Sequence, residues 1–382
     1  MLNKFKINFD IIHGKDSLKT LNLNLKNLNF KNPYLICDKI LENNKYINKN
    51  ILFLKKKIFL KFDTEPTYEQ LDIEIKKIKK IKKIDCFIGI GGGSALDFTK
   101  GIAILYTNNG PSIKYMGFPQ LKNKPLPVIL VPSTASTGSE IIYNAVFTHV
   151  KTKTKLGINS SQNYPILSIL DPRLISFAPK RIIYQSAIAT LMRSIETFTS
   201  KDATFLTKIF SINAFEILVK AFSKKKSINF FQDCQLATMF SMIALSNSSS
   251  GPCGVINYYL SSNLKIAQSL SYNFTAFEFI KNNILRGYNG YAELLTNFKE
   301  YSNISKKKKI YIFLNLIKKI VYLNLNSINE AKKIISKEKN FTNNIFKAFA
   351  ATNFLALKKN PIFMRPNHLR QIIKNIPILY KF

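Results

Sequence analysis

Through the first half of the chain, short apolar runs at residues 34–37, 51–54, 86–90, 128–131 and 167–170 alternate with stretches of helical period at 40–48, 69–83 and 95–106. A parallel sheet with crossover helices requires this alternation. Within 69–83, Leu71, Ile75, Ile78 and Ile81 fall on one helical face and lysines occupy the rest, the pattern of an amphipathic surface helix. Residues 145–150 and 155–159 read as a hairpin with polar residues between them. Beyond Pro172 the period changes: 182–199, 203–223, 231–246 and 274–285 are all helical in pattern. The prediction is an α/β nucleotide-binding domain over residues 1–180 and an all-α domain over 181–382, with a cleft between them. No internal repeat and no long low-complexity linker interrupts this plan.

Composition changes the picture little. The chain has 382 residues, enough for two cores, and 46% of them are hydrophobic, the level of an ordinary globular protein. The best candidate membrane segment, 310–325, is broken by Asn315, Lys318 and Lys319, short of the roughly 18 uninterrupted apolar residues a span needs. The first ten residues lack an apolar run of signal-peptide length. The expected location is therefore the cytoplasm. Cys37, Cys86, Cys234 and Cys253 show no paired spacing, so they read as buried thiols rather than metal ligands or disulfides.

A net charge of +35 would ordinarily suggest nucleic acid or an anionic membrane. Here the excess is nearly all lysine, is spread along the chain and travels with abundant Asn and Ile, as drift toward A and T in the codons produces. Any nucleic-acid binding should then be weak, indifferent to sequence and steeply salt-sensitive.

The strongest local signal lies between Cys86 and Lys100, where an apolar strand runs into Gly91-Gly92-Gly93-Ser94 and then a helix. Glycines let the backbone approach a pyrophosphate, and the N–H groups and dipole at a helix start bind negative charge. Asp97 could reach a cofactor ribose or pair with Lys100 three residues on. A tight strand-to-helix turn gives the same string without a ligand.

The order Gly91-Gly92-Gly93-Ser94 to Asp97 and Lys100, Pro132-Ser133-Thr134 to Gly138-Ser139-Glu140, Lys155, and Asp171-Pro172-Arg173-Leu174 resembles the iron-containing (group III) alcohol dehydrogenases. Their corresponding strings are GGGSxxDxxK, PTTxGTGSE, a lysine and DPEL. The resemblance extends from Ile12-His13-Gly14 to Asn367-His368-Leu369-Arg370. The dehydroquinate synthases share the glycine triplet but not the second string. The resemblance implies the dehydroquinate synthase-like fold of this family, NAD or NADP as cofactor, a small-molecule substrate and a homo-oligomer. It implicates Gly92, Gly93, Ser94, Asp97, Ser133, Thr134 and Lys155 in cofactor binding. Asp38 matches the acidic residue that faces the adenosine ribose; a carboxylate there accepts from a 2′-hydroxyl and repels a 2′-phosphate, favouring NAD over NADP. It reads equally as a helix N-cap.

The same resemblance exposes a loss. The family holds Fe2+ or Zn2+ with one Asp and three His, the first two in a string like GxDALTHAIEAY. Here the Asp position is Ala189 and the His position is Arg193. In the string GxxHxxxHPLGxxxxxPHG the third ligand is replaced by Gly254 and the fourth by Gln268, while Tyr258 occupies a non-ligand His assigned to proton relay. The chain has three histidines, His13, His149 and His368, and none falls in these strings. No metal is therefore expected.

Two readings compete. In one, oxidoreduction continues without metal, Arg193 stabilising negative charge on oxygen or anchoring an anionic substrate, with Tyr258 and Gln268 beside it. In the other, the chemistry has decayed and a catalytically silent cofactor-binding relative is left. A basic nucleic-acid-associated protein is the third. Glu196, three residues on, is the expected ion-pair partner of Arg193.

Overall fold

The computed structural model describes residues 5–7, 9–62, 65–135, 137–224, 227–249 and 251–381. They divide into two compact units: Ile7–Pro179 with Lys226–Gln235, and Lys180–Lys225 with Leu236–Phe382 and residues 1–6.

The first unit carries strands β1 (Asp10–His13), β2 (Pro33–Asp38), β3 (Lys56–Leu60), β4 (Cys86–Gly91), β5 (Val128–Pro132), β6 (Asn144–His149), β7 (Thr154–Asn159) and β8 (Leu167–Leu170). Its helices are α1 (Leu21–Asn27), α2 (Lys45–Ile51), α3 (Tyr68–Ile78), α4 (Gly93–Thr107) and α5 (Pro172–Ser176). Six strands form an all-parallel sheet in the order β1-β8-β5-β4-β2-β3, and β6 pairs antiparallel with β7 in a separate hairpin.

Alternation along the strands sends side chains to opposite faces, and each face has its own core. Tyr34, Ile36, Phe87 and Leu130 pack with Leu71, Ile75, Phe98 and Ile102 of α3 and α4. Leu35, Cys37, Ile88, Ile90 and Val131 pack with Leu21, Leu25, Ile47 and Ile51 of α1 and α2. Both faces being covered, the central strands read as continuous apolar runs.

The run at 51–54, expected as a strand, is not one. Ile51 ends α2 and buries the helical face it shares with Ile47; the strand lies at β3, whose lysines sit on a sheet edge. The stretch expected as a helix over 40–48 is a 3-10 turn at Lys39–Leu41 followed by α2. β1, with half-exposed isoleucines at the other edge, carried no period to find.

The second unit is helical: α6 (Lys180–Thr199), α7 (Phe205–Phe222), α9 (Cys253–Leu264), α10 (Gln268–Leu285), α11 (Lys306–Tyr322), α12 (Leu325–Ser336), α13 (Phe341–Ala350), α14 (Leu355–Lys358) and α15 (Pro366–Asn375). Helix α8 (Ile228–Ser246) begins in the residues of the first unit and ends in those of the second. Among the described residues no helix is long and apolar enough to cross a membrane.

Candidate cofactor and active site

In the parallel sheet, β2 leads outward to β3 on one side and β4 leads to β5 on the other. The crevice between the ends of β2 and β4 is thus a topological switch point, where open α/β sheets bind ligands. Cys37 and Ile90 are paired in register, which brings Asp38 and Gly91 out side by side at the carboxyl ends. Gly91 has a φ of +153°, and a Cβ on it would stand 2.9 Å from Asp38 Cβ and 2.8 Å from Ala95 Cβ. Only glycine fits there.

The other glycines of the string differ in what surrounds them. A Cβ on Gly89 would lie 2.7 Å from Thr99 Oγ1, and one on Gly101 2.7 Å from the Phe147 ring. One on Gly93 would overlap the side chain of Thr137. Gly92 is the exception: its nearest neighbour is Thr134 Cγ2 at 3.7 Å. Among the described residues, none fills the Gly92 side of the loop.

Gly92 is also the N-cap of α4, in extended conformation, with its carbonyl accepting from Ala95 and Leu96 N–H at 3.0 and 3.2 Å. A glycine cap offers no side chain to the first turn, so the positive end of the helix, through Gly93 and Ser94, faces the open side. Ser133 closes the other wall, its N–H donating to the Gly91 carbonyl at 2.8 Å, and Thr134 follows it. Ser136 lies outside the described residues. The cradle therefore fits a dinucleotide phosphate.

Asp38 caps the 3-10 turn after β2, its Oδ1 accepting from Ile40 N–H at 3.2 Å, and burial raises its carboxyl above the ordinary range. The capping role expected as one alternative is present, on a side chain that also borders Gly91.

Asp97 takes the second of its two expected roles. Its carboxylate accepts from Ser139 Oγ and from Val146 N–H at 3.0 Å and pairs with Lys100 at 3.2 Å. Lys100 is fully buried and also donates to the carbonyls of Ser139 (2.9 Å), Ile142 (3.2 Å) and Asn144; burial lowers its pKa. This clasp ties α4 to the loop after β5 and to the start of β6. The ammonium of Lys155, on β7, is held by Glu65, and burial lowers its pKa as well. Sequence reasoning missed Glu65 because it lies 90 residues from its partner.

In the helical unit the four positions that match metal ligands carry Ala189 and Arg193 on α6, Gly254 on α9 and Gln268 at the start of α10. A methyl group, a guanidinium, a glycine and an amide do not make a divalent-cation site, and the guanidinium would repel the ion. Among the described residues no three His, Cys, Asp or Glu side chains come together to hold one. His13 ends β1, His149 ends β6 beside Glu69 at 3.4 Å, and His368 accepts from Arg365 N–H within α15. All four cysteines are free and buried.

Arg193 is 7% exposed, with its guanidinium carbon 5.3 Å from the Tyr272 ring centroid. The carboxylate of Glu196 is directed at two donors, the Tyr272 hydroxyl and Cys253 N–H (3.2 Å). Burial raises the Glu196 carboxyl, opposed by these donors and by the Arg193 charge. A small pocket adjoins it, lined by Met192, Glu196, Cys253, Phe279, Asn283 and Asn360 among others. Tyr258 and Gln268 are half-buried on α9 and α10.

A sequence model of the family described as "Iron-containing alcohol dehydrogenase" matches residues 9–172. The chain is 27% identical to sulfoacetaldehyde reductase of Bilophila wadsworthia over 70% of its own length and 71% of that protein's. It is 28% identical to the NAD-dependent methanol dehydrogenase of Bacillus methanolicus over 62% of its length and 65% of the relative's, somewhat under two-thirds of that protein. The fold superposes on sulfoacetaldehyde reductase of Bifidobacterium kashiwanohense, solved in complex with NAD+, with a TM-score of 0.84 at 18% identity, covering 99% of each chain. A parallel-sheet α/β domain followed by a helical region is the architecture the two share. The glycine loop and the second string both lie within the residues that match the iron-containing alcohol dehydrogenase family, and the fold of the whole chain is that of the solved sulfoacetaldehyde reductase.

Proposed function

We propose that this chain is a nicotinamide-dependent oxidoreductase that converts a small alcohol or carbonyl compound without a metal ion. The observation that carries the reading is the open side of Gly92, next to glycines whose space the protein fills itself. The pyrophosphate would lie there, against the first turn of α4 and between Ser94, Ser133 and Thr134. Asp38, at the end of β2, would take the ribose, which favours NAD over NADP. Asp97 and Lys155, engaged by Lys100 and Glu65, would shape the cradle rather than touch the cofactor. When bound, the nicotinamide supplies the hydride acceptor or donor.

The chain's own residues would then handle charge and proton. Arg193 would stabilise the negative charge that develops on the substrate oxygen, or hold an anionic group of the substrate. Tyr258 would relay the proton, with Gln268 as a further polar contact. One relative is named for sulfoacetaldehyde, an aldehyde bearing a sulfonate, which supports an anionic substrate class. A silent cofactor-binding protein is the second reading, favoured by the burial of Arg193 against Tyr272.

Turnover of short aldehydes, neutral and anionic, separates the two. Arg193→Ala should lower kcat on the order of 10²–10³-fold while NADH affinity stays nearly intact, and Arg193→Lys should rescue only partly. An alanine variant as fast as wild type would sink the catalytic role of Arg193.

A further inference from the structure

Three helices of the second unit meet at one polar cluster. Arg193 on α6 lies over the Tyr272 ring of α10, the guanidinium carbon 5.3 Å from its centroid. The Tyr272 hydroxyl donates to one oxygen of Glu196, one turn further along α6. The other oxygen accepts from Cys253 N–H, 3.2 Å away at the start of α9. Gly251 completes the closure, since a Cβ there would stand 2.8 Å from the Glu196 carboxyl carbon. Glu196, whose carboxylate also feels the Arg193 charge, is held by a tyrosine hydroxyl and a backbone amide.

The ordering problem at this place is real. An arginine side chain has many rotamers, and a cation in a nearly buried setting needs its direction fixed before it can act on a developing charge. An aromatic face attracts a guanidinium, and a phenol donating to a carboxylate presents a more electron-rich face. The cluster supplies both features, anchored to backbone on a third helix.

We propose that Tyr272 is the positioning residue of this site: its ring sets the direction of the Arg193 guanidinium, and Glu196, tied to Cys253, sets the ring. This rests on the reading of Arg193 as the charge-bearing group. The role is specific to a chain with arginine at this position, because the guanidinium needs a face where a metal would need ligands.

Two readouts on the full chain test it. The first is steady-state reduction of propionaldehyde and sulfoacetaldehyde with NADH. The second is phenylglyoxal labelling of arginines, resolved by peptide mass mapping, with Arg181 as internal reference. Tyr272→Leu removes the ring; kcat should fall about 10²-fold, as misplacement of a catalytic group does. Aldehyde KM and NADH affinity should stay near wild type, and Arg193 should label faster than in the parent. Tyr272→Phe keeps the ring and should restore most of kcat and the slow labelling. Glu196→Gln, which preserves shape, should fall between. Wild-type kcat and labelling in Tyr272→Leu would overturn the proposal, as would a Tyr272→Phe variant as impaired as the leucine one. Should Arg193→Ala turn over like wild type, the catalytic reading fails separately. Labelling then decides alone: faster modification of Arg193 in Tyr272→Leu but not in Tyr272→Phe supports the positioning, and equal rates in all variants overturn it.

Discussion

Gly92 and Gly93 are neighbours in sequence, yet a side chain at each meets something different. A Cβ on Gly93 overlaps Thr137, so Gly93→Ala should destabilise the fold by about 1–3 kcal/mol through overpacking. A Cβ on Gly92 would meet nothing among the described side chains nearer than Thr134 Cγ2 at 3.7 Å, and the residue holds an extended conformation that valine adopts readily. Gly92→Val should therefore melt close to wild type, allowing about 1 kcal/mol for the lost glycine cap, and lose NADH binding. Differential scanning fluorimetry with an NADH fluorescence titration reads both. A Gly92→Val variant that binds NADH like the parent would show that the open side is not the pyrophosphate site. The glycine string is legible from its residue types as a candidate cradle, but which of its glycines are crowded by other side chains is not. That depends on Thr99, Leu130, Thr137 and Phe147, brought up by other elements.

Between elements, the clasp from α4 to β6 is the feature with the clearest energetic consequence. Lys100 has no exposure and pairs with Asp97 at 3.2 Å. Asp97→Ala would leave a buried ammonium without its carboxylate and strip Ser139 and Val146 N–H of their acceptor. We expect a loss of about 3–5 kcal/mol, visible as a lower urea midpoint.

A second buried lysine makes a pH prediction. Lys332 on α12 donates to the Ile376 carbonyl at 2.6 Å and lies 4.0 Å from the Tyr380 ring centroid; burial lowers it from 10.5 to about 8. Between those values the folded chain binds fewer protons at this site than the unfolded one, so stability should rise as pH climbs from about 8 to 10.5. Lys332→Met should flatten that rise in pH-dependent urea melts; an identical rise in the variant would assign it to other groups.

At this scale the alternation of apolar runs and helical periods revealed most of the sheet and the hairpin. It failed at β3 because the apolar run there is only Ile58-Phe59-Leu60 behind two lysines, and because the longer run at 51–54, which begins at the buried end of α2, mimics a strand. It could not place Glu196 against Tyr272, 76 residues away.

Taken whole, the molecule keeps the architecture of the solved sulfoacetaldehyde reductase, while the four positions that the resemblance matches to metal ligands carry other side chains. The proposed phosphate cradle depends on backbone and on the absence of side chains, and the fold that presents it is shared at 18% identity with a solved sulfoacetaldehyde reductase. The positions that would hold a metal depend on specific donor atoms and now carry Ala189, Arg193, Gly254 and Gln268. None of those four residues lies in a strand or crossover helix of the sheet or in either core packed on its faces. The purified protein should accordingly contain no stoichiometric iron or zinc.

The most direct measurement is a fluorescence titration of NADH into purified protein, repeated after exhaustive chelation and dialysis. The account predicts saturable binding below millimolar concentration with the same affinity in both preparations. No affinity up to millimolar NADH, or affinity that disappears with the chelated metal, would contradict it.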